Sequence, residues 1–151
     1  DFVRLYPTLV IRGSGLAERY RQGSYQPMSM NRAIALCCRA KEILDQAGVK
    51  ILRMGLQASS SLEKEILAGP YHAAFGELGI SRHWFRRGRK LLASCPAEKR
   101  LQMTISDRDV SAFVGLKRAN MKRLQELGLD WRLDLRTDKH LQRGTMEYVI
   151  A

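Results

Sequence analysis

The residues best suited to chemistry lie in one stretch, Lys50 to Glu77, with the sequence KILRMGLQASSSLEKEILAGPYHAAFGE. Arg53 interrupts an apolar run of Ile51, Leu52, Met54 and Leu56. A guanidinium in that company needs a carboxylate, a phosphate or a carbonyl as partner, supplied by the fold or by a substrate. Gln57 and Glu77 are the polar groups nearest the end of this run, and His72 stands between Tyr71 and Phe75, just after Gly69-Pro70. Loops that follow a buried strand concentrate site residues, so His72 divides between a functional role and loop packing. No Ser-His-Asp or paired-carboxylate arrangement emerges from spacing. His72, His83 and His140 are scattered, and Cys37, Cys38 and Cys95 contain no Cys-x2-Cys, so no metal is expected on this segment. His83 and His140 read as surface residues.

The elements that must position these groups follow from patterning. Ile51 to Leu56 has the near-continuous apolar character of a strand buried on both faces of a parallel sheet. After it, Ser60 with Glu63 has capping-box spacing for a short helix that shares Leu62 and Ile66 on one face and stops at Gly69-Pro70. Upstream, Phe2 to Ile11 is β-rich, and Pro7 removes a ladder donor, so the strand should be bulged or end-paired near Tyr6-Pro7. Leu16, Ala17 and Tyr20 suggest a short helix ending at Gly23. Ser29 caps the clearest helix, whose Ala33, Leu36, Cys37, Ala40, Ile43, Leu44 and Ala47 keep helical spacing up to Gly48. Strand, long helix, strand makes a βαβ unit, expected with a right-handed crossover. Two parallel strands leave open ladder edges, so this half needs further strands or a partner chain.

The second half changes character. A basic helix from Phe75 to Leu92 turns Leu78, Trp84, Phe85, Leu91 and Leu92 inward and carries Arg82, Arg86, Arg87, Arg89 and Lys90 elsewhere. Arg100 to Ile105 alternates as a half-buried strand, and Ser106 with Asp109 caps a short helix ending near Gly115. A helix from Leu116 to Leu127 places Leu116, Asn120, Leu124 and Leu127 on one stripe and Lys117, Arg118, Lys122 and Arg123 away from it. Trp131, Leu133 and Leu135 alternate with Arg132, Asp134 and Arg136, and Met146, Tyr148 and Ile150 alternate after Gly144, so the chain closes with two strands joined by a polar loop.

Composition sets the outer bounds. In 151 residues, 26 Lys+Arg against 15 Asp+Glu leave a net charge of +11, which makes an anionic partner a live expectation, with a merely solvated surface as the alternative. The odd cysteine set argues against a disulfide framework and for a reducing, cytoplasmic compartment. No apolar run has membrane-spanning length and no signal-peptide pattern is present, so no membrane partner is expected. Asp1 abuts a strand directly, which suggests a segment of a longer protein. Arg12-Gly13-Ser14-Gly15-Leu16-Ala17 has the Arg-x2-Gly-x-Ala spacing with which acyl-CoA acetyltransferases cradle a pyrophosphate. That fold needs several antiparallel strands upstream, and an ordinary glycine turn accounts for the residues here. Ser111, Gly115 and Met121 have helix-turn-helix spacing, read as packing whose basic face still reaches phosphates.

Several words in order carry a family resemblance: Arg4 to Leu16 (RLYPTLVIRGSGL), Gly23 to Pro27 (GSYQP), Ile51 to Gln57 (ILRMGLQ) and Gly69 to Leu78 (GPYHAAFGEL). Together they resemble the later part of bacterial radical SAM proteins akin to the elongator catalytic subunit and oxygen-independent coproporphyrinogen oxidase. The resemblance covers roughly the first half and weakens beyond Leu78, although Gly115-Leu116-Lys117-Arg118-Ala119-Asn120 looks like a basic motif further along such proteins.

It implies an α/β fold, α+β overall: a βαβ piece of a partial (β/α) barrel over residues 1–76, then a basic helix-plus-antiparallel-sheet subdomain over residues 77–151. It also implies a parent enzyme with a [4Fe-4S] cluster and S-adenosylmethionine, cleaved reductively to a 5′-deoxyadenosyl radical. The Cys-x3-Cys-x2-Cys loop that holds the cluster in this family is absent here, so the segment alone is expected to carry no cofactor and to be inactive. By similarity, Thr8, Leu9 and Val10 lie near the adenosine end of the cofactor, and Arg53, Gln57 and His72 face the substrate. Expected partners are the N-terminal part of its own chain, tRNA or another RNA on Arg82, Arg86, Arg87, Lys90, Lys117, Arg118, Lys122 and Arg123, and a second copy across open strand edges. The competing expectation is a stand-alone basic nucleic-acid-binding module without catalysis.

Overall fold

From its start the chain runs β1 (Phe2–Leu5), β2 (Val10–Ile11), α1 (Gly15–Arg21), α2 (Met30–Gln46), β3 (Lys50–Met54), α3 (Ser60–Glu65) and β4 (Ile66–Ala68) into a long helix, α4 (Phe75–Ser94). The computed structural model describes residues 1–151 and divides them into two units, Asp1–Gly79 and Ile80–Ala151. It is mixed helix and strand, an α/β chain with small sheets. No helix is long and apolar enough to cross a membrane.

In the first unit, β1 and β3 pair in parallel, Phe2 against Lys50 and Leu5 against Met54, joined through α2 as a βαβ unit. Ser29 starts α2 by accepting the Arg32 N–H at 3.3 Å, and Gly48 follows its end at φ 68°, the left-handed conformation that closes helices. The α2 stripe Ala33, Ile34 and Cys38 is buried with Phe75, and Met54 packs on this cluster. Burying Phe75 alone contributes about 2–3 kcal/mol relative to leaving it exposed. β3 is not buried on both faces: one side meets this cluster, while Leu52 and Arg53 are exposed, because a two-stranded sheet is covered here by helix on one side only.

Pro7 lies between β1 and β2 in an unpaired segment, where its missing N–H costs no ladder bond. The chain then leaves the parallel pair, and β2 pairs antiparallel with β4, Val10 against Ala68. The expected helix to Gly69 therefore ends early. Ser59, not Ser60, caps α3 by accepting the Leu62 N–H at 3.2 Å, and Ile66–Ala68 is extended because β2 offers it ladder partners.

The second unit contains the rest of α4, β5 (Leu101–Ser106), α5 (Val110–Val114), α6 (Ala119–Glu126), β6 (Leu133–Asp138) and β7 (Met146–Ile150). Its sheet has the order β6-β5-β7. β7 runs antiparallel to β5, but β6 runs parallel to it, so the sheet is mixed rather than antiparallel throughout. The two helices between β5 and β6 carry the chain back to the starting edge and make the parallel pairing possible. Leu101, Met103 and Ile105 of β5 are buried with Trp84, Leu92, Phe113 and Leu124. Trp84 meets Phe113 edge-on at 6.1 Å, and Gly88 on α4 admits the Phe113 ring, since a Cβ there would come within 3.2 Å of it.

Two expectations of burial are reversed in this unit. Trp131 is exposed and Arg132 is buried, because Asp130–Arg132 is a 3-10 turn, and from Leu133 the strand shows no period-two burial: Leu133, Asp134 and Leu135 are half-buried and Arg136 to Asp138 exposed. Arg132 donates to the carbonyls of Cys95, Pro96 and Lys99 in the loop that follows α4, which satisfies the buried guanidinium. His83 is buried within α4, whereas His140 is at the surface as expected.

Candidate functional site

The segments leaving the carboxyl ends of β1 and β3 converge on a shallow recess of about 180 Å³. It is lined by Pro7 and Leu9 after β1, Gly55 and Leu56 after β3, Pro70, Tyr71 and His72 after β4, and Phe75 at the start of α4. Open α/β sheets bind ligands in this position. Two glycines hold the lining together. Gly55 has φ 85°, its N–H donates to Leu5 O at 2.8 Å, and an added Cβ would lie 2.7 Å from Phe75 Cβ. Gly69 has φ 114° and lies against Leu9 and the Thr8 carbonyl, where a Cβ would approach both to 3.1 Å.

Of the polar candidates Tyr71 and His72 line the recess, whereas Arg53 and Gln57 are exposed and do not. Arg53 Nη1 donates to Gln57 Oε1 at 2.9 Å, so the carbonyl partner that the strand arginine requires is the side chain four residues on. His72 Nδ1 accepts the Ala74 N–H at 3.0 Å, which leaves Nε2 to carry the proton of the neutral ring. Tyr71 donates its hydroxyl to Glu63 Oε1 at 2.7 Å. That hydrogen bond to a carboxylate, with smaller contributions from desolvation and from the Glu63 charge, holds the phenol above its ordinary pKa. Glu63 thereby ties α3 to the rim, although spacing suggested that it would cap its own helix. Thr8 is exposed and Leu9 lines the recess, but Val10 is fully buried and paired in β2, so its side chain does not reach the recess.

The cysteines do not form a cluster site. Cys37 is half-buried and burial raises its thiol pKa, Cys38 is buried with Sγ 3.2 Å from Gly79 O, and Cys95 is buried in the other unit. A thiolate is the ligand an iron-sulfur cluster needs, and burial disfavours it. No group of three His, Cys, Asp or Glu side chains lies close enough to hold a metal ion.

The expected basic residues all lie on α4 and α6 or on the turn between α5 and α6. α4 and α6 touch: Asn120 Nδ2 donates to Ser81 Oγ at 2.9 Å, and the Arg123 guanidinium lies 5.6 Å from the centre of the Phe85 ring. Arg87 lies 4.9 Å over Trp84 and donates to Gly144 O at 2.8 Å, so it also holds the β6–β7 loop. Arg82 is half-buried, and Arg86 and Lys90 are exposed. The turn departs from the expected continuous helix. Gly115, Lys117 and Arg118 have φ 80°, 51° and 61°, and α6 begins only at Ala119. A non-glycine residue in that region costs roughly 1–2 kcal/mol, so two in succession need an anchor.

Asn120 supplies that anchor, a role that spacing on an apolar stripe concealed. Its amide nitrogen also reaches Ser81 O at 3.0 Å, Phe113 O at 2.8 Å and Ala112 O at 3.4 Å, so it ties the last carbonyls of α5 to α4. Asp109 is a second polar residue whose role spacing did not show. Its carboxylate is buried and accepts Gly144 N–H at 2.6 Å and Arg143 Nε at 3.2 Å, fixing the loop before β7.

The model of one protein family, described as the Radical_SAM C-terminal domain, matches residues 1–85. No curated protein matches the chain.

Proposed function

We propose, from the premise that this chain belongs to the Radical_SAM C-terminal domain family, that it supplies the closing strands and one wall of the substrate chamber to a radical SAM enzyme of the elongator-subunit and coproporphyrinogen-oxidase kind. Membership makes the segment the C-terminal part of a radical SAM protein, and in the parent a [4Fe-4S] cluster with S-adenosylmethionine supplies the 5′-deoxyadenosyl radical. The residues of this segment do not fit the cluster, and its ligands belong elsewhere in the parent.

The observation that carries the reading is the recess at the carboxyl ends of the parallel pair β1–β3, with Tyr71 and His72 in its lining. In this role His72 offers an Nε2–H donor whose direction is set by the Ala74 contact. Arg53 presents a cation steadied by Gln57, suited to a carboxylate or phosphate on the substrate. Thr8 and Leu9 face the adenosine end. The open edges of the β1–β3 pair accept the preceding strands of the parent, and in the isolated chain a second copy.

The test compares the parent with this chain after anaerobic iron and sulfide reconstitution. The parent, carrying a Cys-x3-Cys-x2-Cys loop upstream, forms 5′-deoxyadenosine with dithionite, and residues 1–151 alone do not. A parent reading frame without that loop, or a reconstituted parent that leaves S-adenosylmethionine intact, overturns the proposal. The second reading, a basic nucleic-acid-binding module, is favoured by the charge distribution. Ile80–Ala151 holds sixteen Lys+Arg against eight Asp+Glu, and Asp1–Gly79 ten against seven.

A further inference from the structure

Most of the net charge belongs to the second unit, beyond the bulk of the residues that the family model covers, and the recess does not use it. Within that unit the cations are not evenly spread. Lys117 and Arg118 sit consecutively on the turn between α5 and α6, both exposed, with Lys122 and Arg123 one turn further along α6. Leu116, at the same turn, is 58% exposed, an apolar side chain among four cations.

The scaffold around the turn is a strand, a helix, a turn, a helix and a strand, with β5 and β6 parallel and adjacent. β6 is an outer strand: it pairs with β5 on one side, and its other side has no ladder partner. α6 leads through a short 3-10 turn into this strand, and Met121 of α6 packs on the same core as Leu133 and Leu135 of β6. The chain therefore joins two surfaces of different chemistry in one small unit. One is a cationic turn for phosphates, and the other an open backbone edge whose N–H and C=O groups suit the hydrogen-bonding edges of unstacked bases.

Modules that hold single-stranded RNA through a short Gly-containing loop between two helices use this division of labour, the loop taking the sugar-phosphate backbone. Gly115-Leu116-Lys117-Arg118 occupies the corresponding place. Its fourth residue is Arg118 at φ 61°, a left-handed position that glycine would fill without strain, and here it carries a cation instead. A duplex presents its bases stacked and paired, so it offers nothing to the β6 edge. A single strand offers phosphates and bases together.

We propose that the turn Gly115–Arg118, with Lys122 and Arg123 and the open edge of β6, is a binding site for single-stranded nucleic acid, gripping the backbone at the turn. The assignment deepens the nucleic-acid reading of the second unit and does not depend on the radical chemistry.

The test uses the whole 151-residue chain and fluorescently labelled twelve-nucleotide oligomers, as RNA, as DNA and as a blunt RNA duplex, read by anisotropy. Both single strands bind at least about fivefold more tightly than the duplex. Three to four phosphate contacts give a slope of log K against log salt of about −2 to −3. Lys117→Asp with Arg118→Asp weakens single-strand binding at least about tenfold, whereas the charge-matched Lys99→Asp with Lys139→Asp weakens it less than about threefold. Asp tolerates the left-handed region, so the fold survives the first pair of changes. If tryptophan emission shows otherwise, Lys117→Gly with Arg118→Gly removes the charge, keeps the turn, and gives the same loss.

Equal losses from the two charge-matched variants, or equal affinity for duplex and single strand, overturns the site and leaves a diffuse nucleic-acid-binding surface, whereas no binding overturns the nucleic-acid reading with it and leaves a solvated basic surface. RNA bound better than DNA keeps it and identifies the 2′-hydroxyl as part of the ligand, while equal binding keeps it with phosphate and base as the whole. Failure here leaves family membership untouched. Absence of radical chemistry in the parent leaves these oligomer measurements intact.

Discussion

Replacing Asn120 with Leu separates a structural anchor from a bystander. The branched heavy-atom skeleton is kept, but both amide N–H donors are lost, and with them the bonds to Ser81 O, Ser81 Oγ and Phe113 O at 2.8–3.0 Å. Each lost hydrogen bond costs about 1 kcal/mol net, and a stranded buried carbonyl adds about 1–3 kcal/mol, so the variant should lose roughly 2–4 kcal/mol. In a domain the size of the second unit this lowers the melting temperature by at least about 10 °C. The readout is favourable, because both tryptophans, Trp84 and Trp131, belong to that unit. Urea unfolding followed by tryptophan emission should show an earlier midpoint with an unchanged slope. Asn120→Asp should be worse at neutral pH, since a carboxylate would face three carbonyl oxygens with no proton to offer. An Asn120→Leu chain within about 0.5 kcal/mol of the parent chain would refute the view that this amide holds the turn.

Gly55→Ala should destabilise the first unit by at least about 2 kcal/mol, from the left-handed backbone and the contact with Phe75, and amide hydrogen exchange in β1 and β3 should accelerate while the second unit stays protected. Tyr71 should ionise above the ordinary tyrosine range in an absorbance titration, and Glu63→Gln should return it downward. The sign follows from linkage. The folded phenol holds its proton to higher pH than the unfolded one, so the Tyr71–Glu63 bond supports the fold below the unfolded pKa and is lost as pH rises through the folded value. An unchanged titration in Glu63→Gln would show that the bond does not form in solution.

The long helices and the pairing of β1 with β3 were legible because local signals agreed with the tertiary outcome. Ser29 and Gly48 bracket α2 as expected, but the face that meets Phe75 is Ala33, Ile34 and Cys38, and of the expected stripe Leu36, Ile43 and Ala47 are exposed. Ile66–Ala68 was not legible as a strand, since nothing in three apolar residues after a helix distinguishes one more helical turn from an extended piece, and its partner Val10–Ile11 lies some fifty-five residues away. Arg132 failed for a related reason. Period two across Trp131 to Arg136 fits a strand from its first residue, but the carbonyls of the loop after α4 take the Arg132 guanidinium and bury it. In both cases the deciding partner is distant in sequence.

The candidate sites divide along the same line. Arg53, Gln57 and His72 were visible by type, and the structure adds that Arg53 pairs with Gln57 while His72 has one nitrogen committed to its own loop. The cations Lys117, Arg118, Lys122 and Arg123 were also visible, but as the outer face of an unbroken helix, because Leu, Lys, Arg and Ala all favour that conformation. The break falls at Gly115, φ 80°, and the Asn120 side chain competes with a further helical turn by donating to the backbone carbonyls ending α5. That competition moves Lys117 and Arg118 off a helix flank and onto an exposed turn above a packed core. A charge pattern that the sequence places on a helix flank thus becomes a pair of exposed cations held at left-handed backbone angles, φ 51° and 61°, on a turn anchored by Asn120.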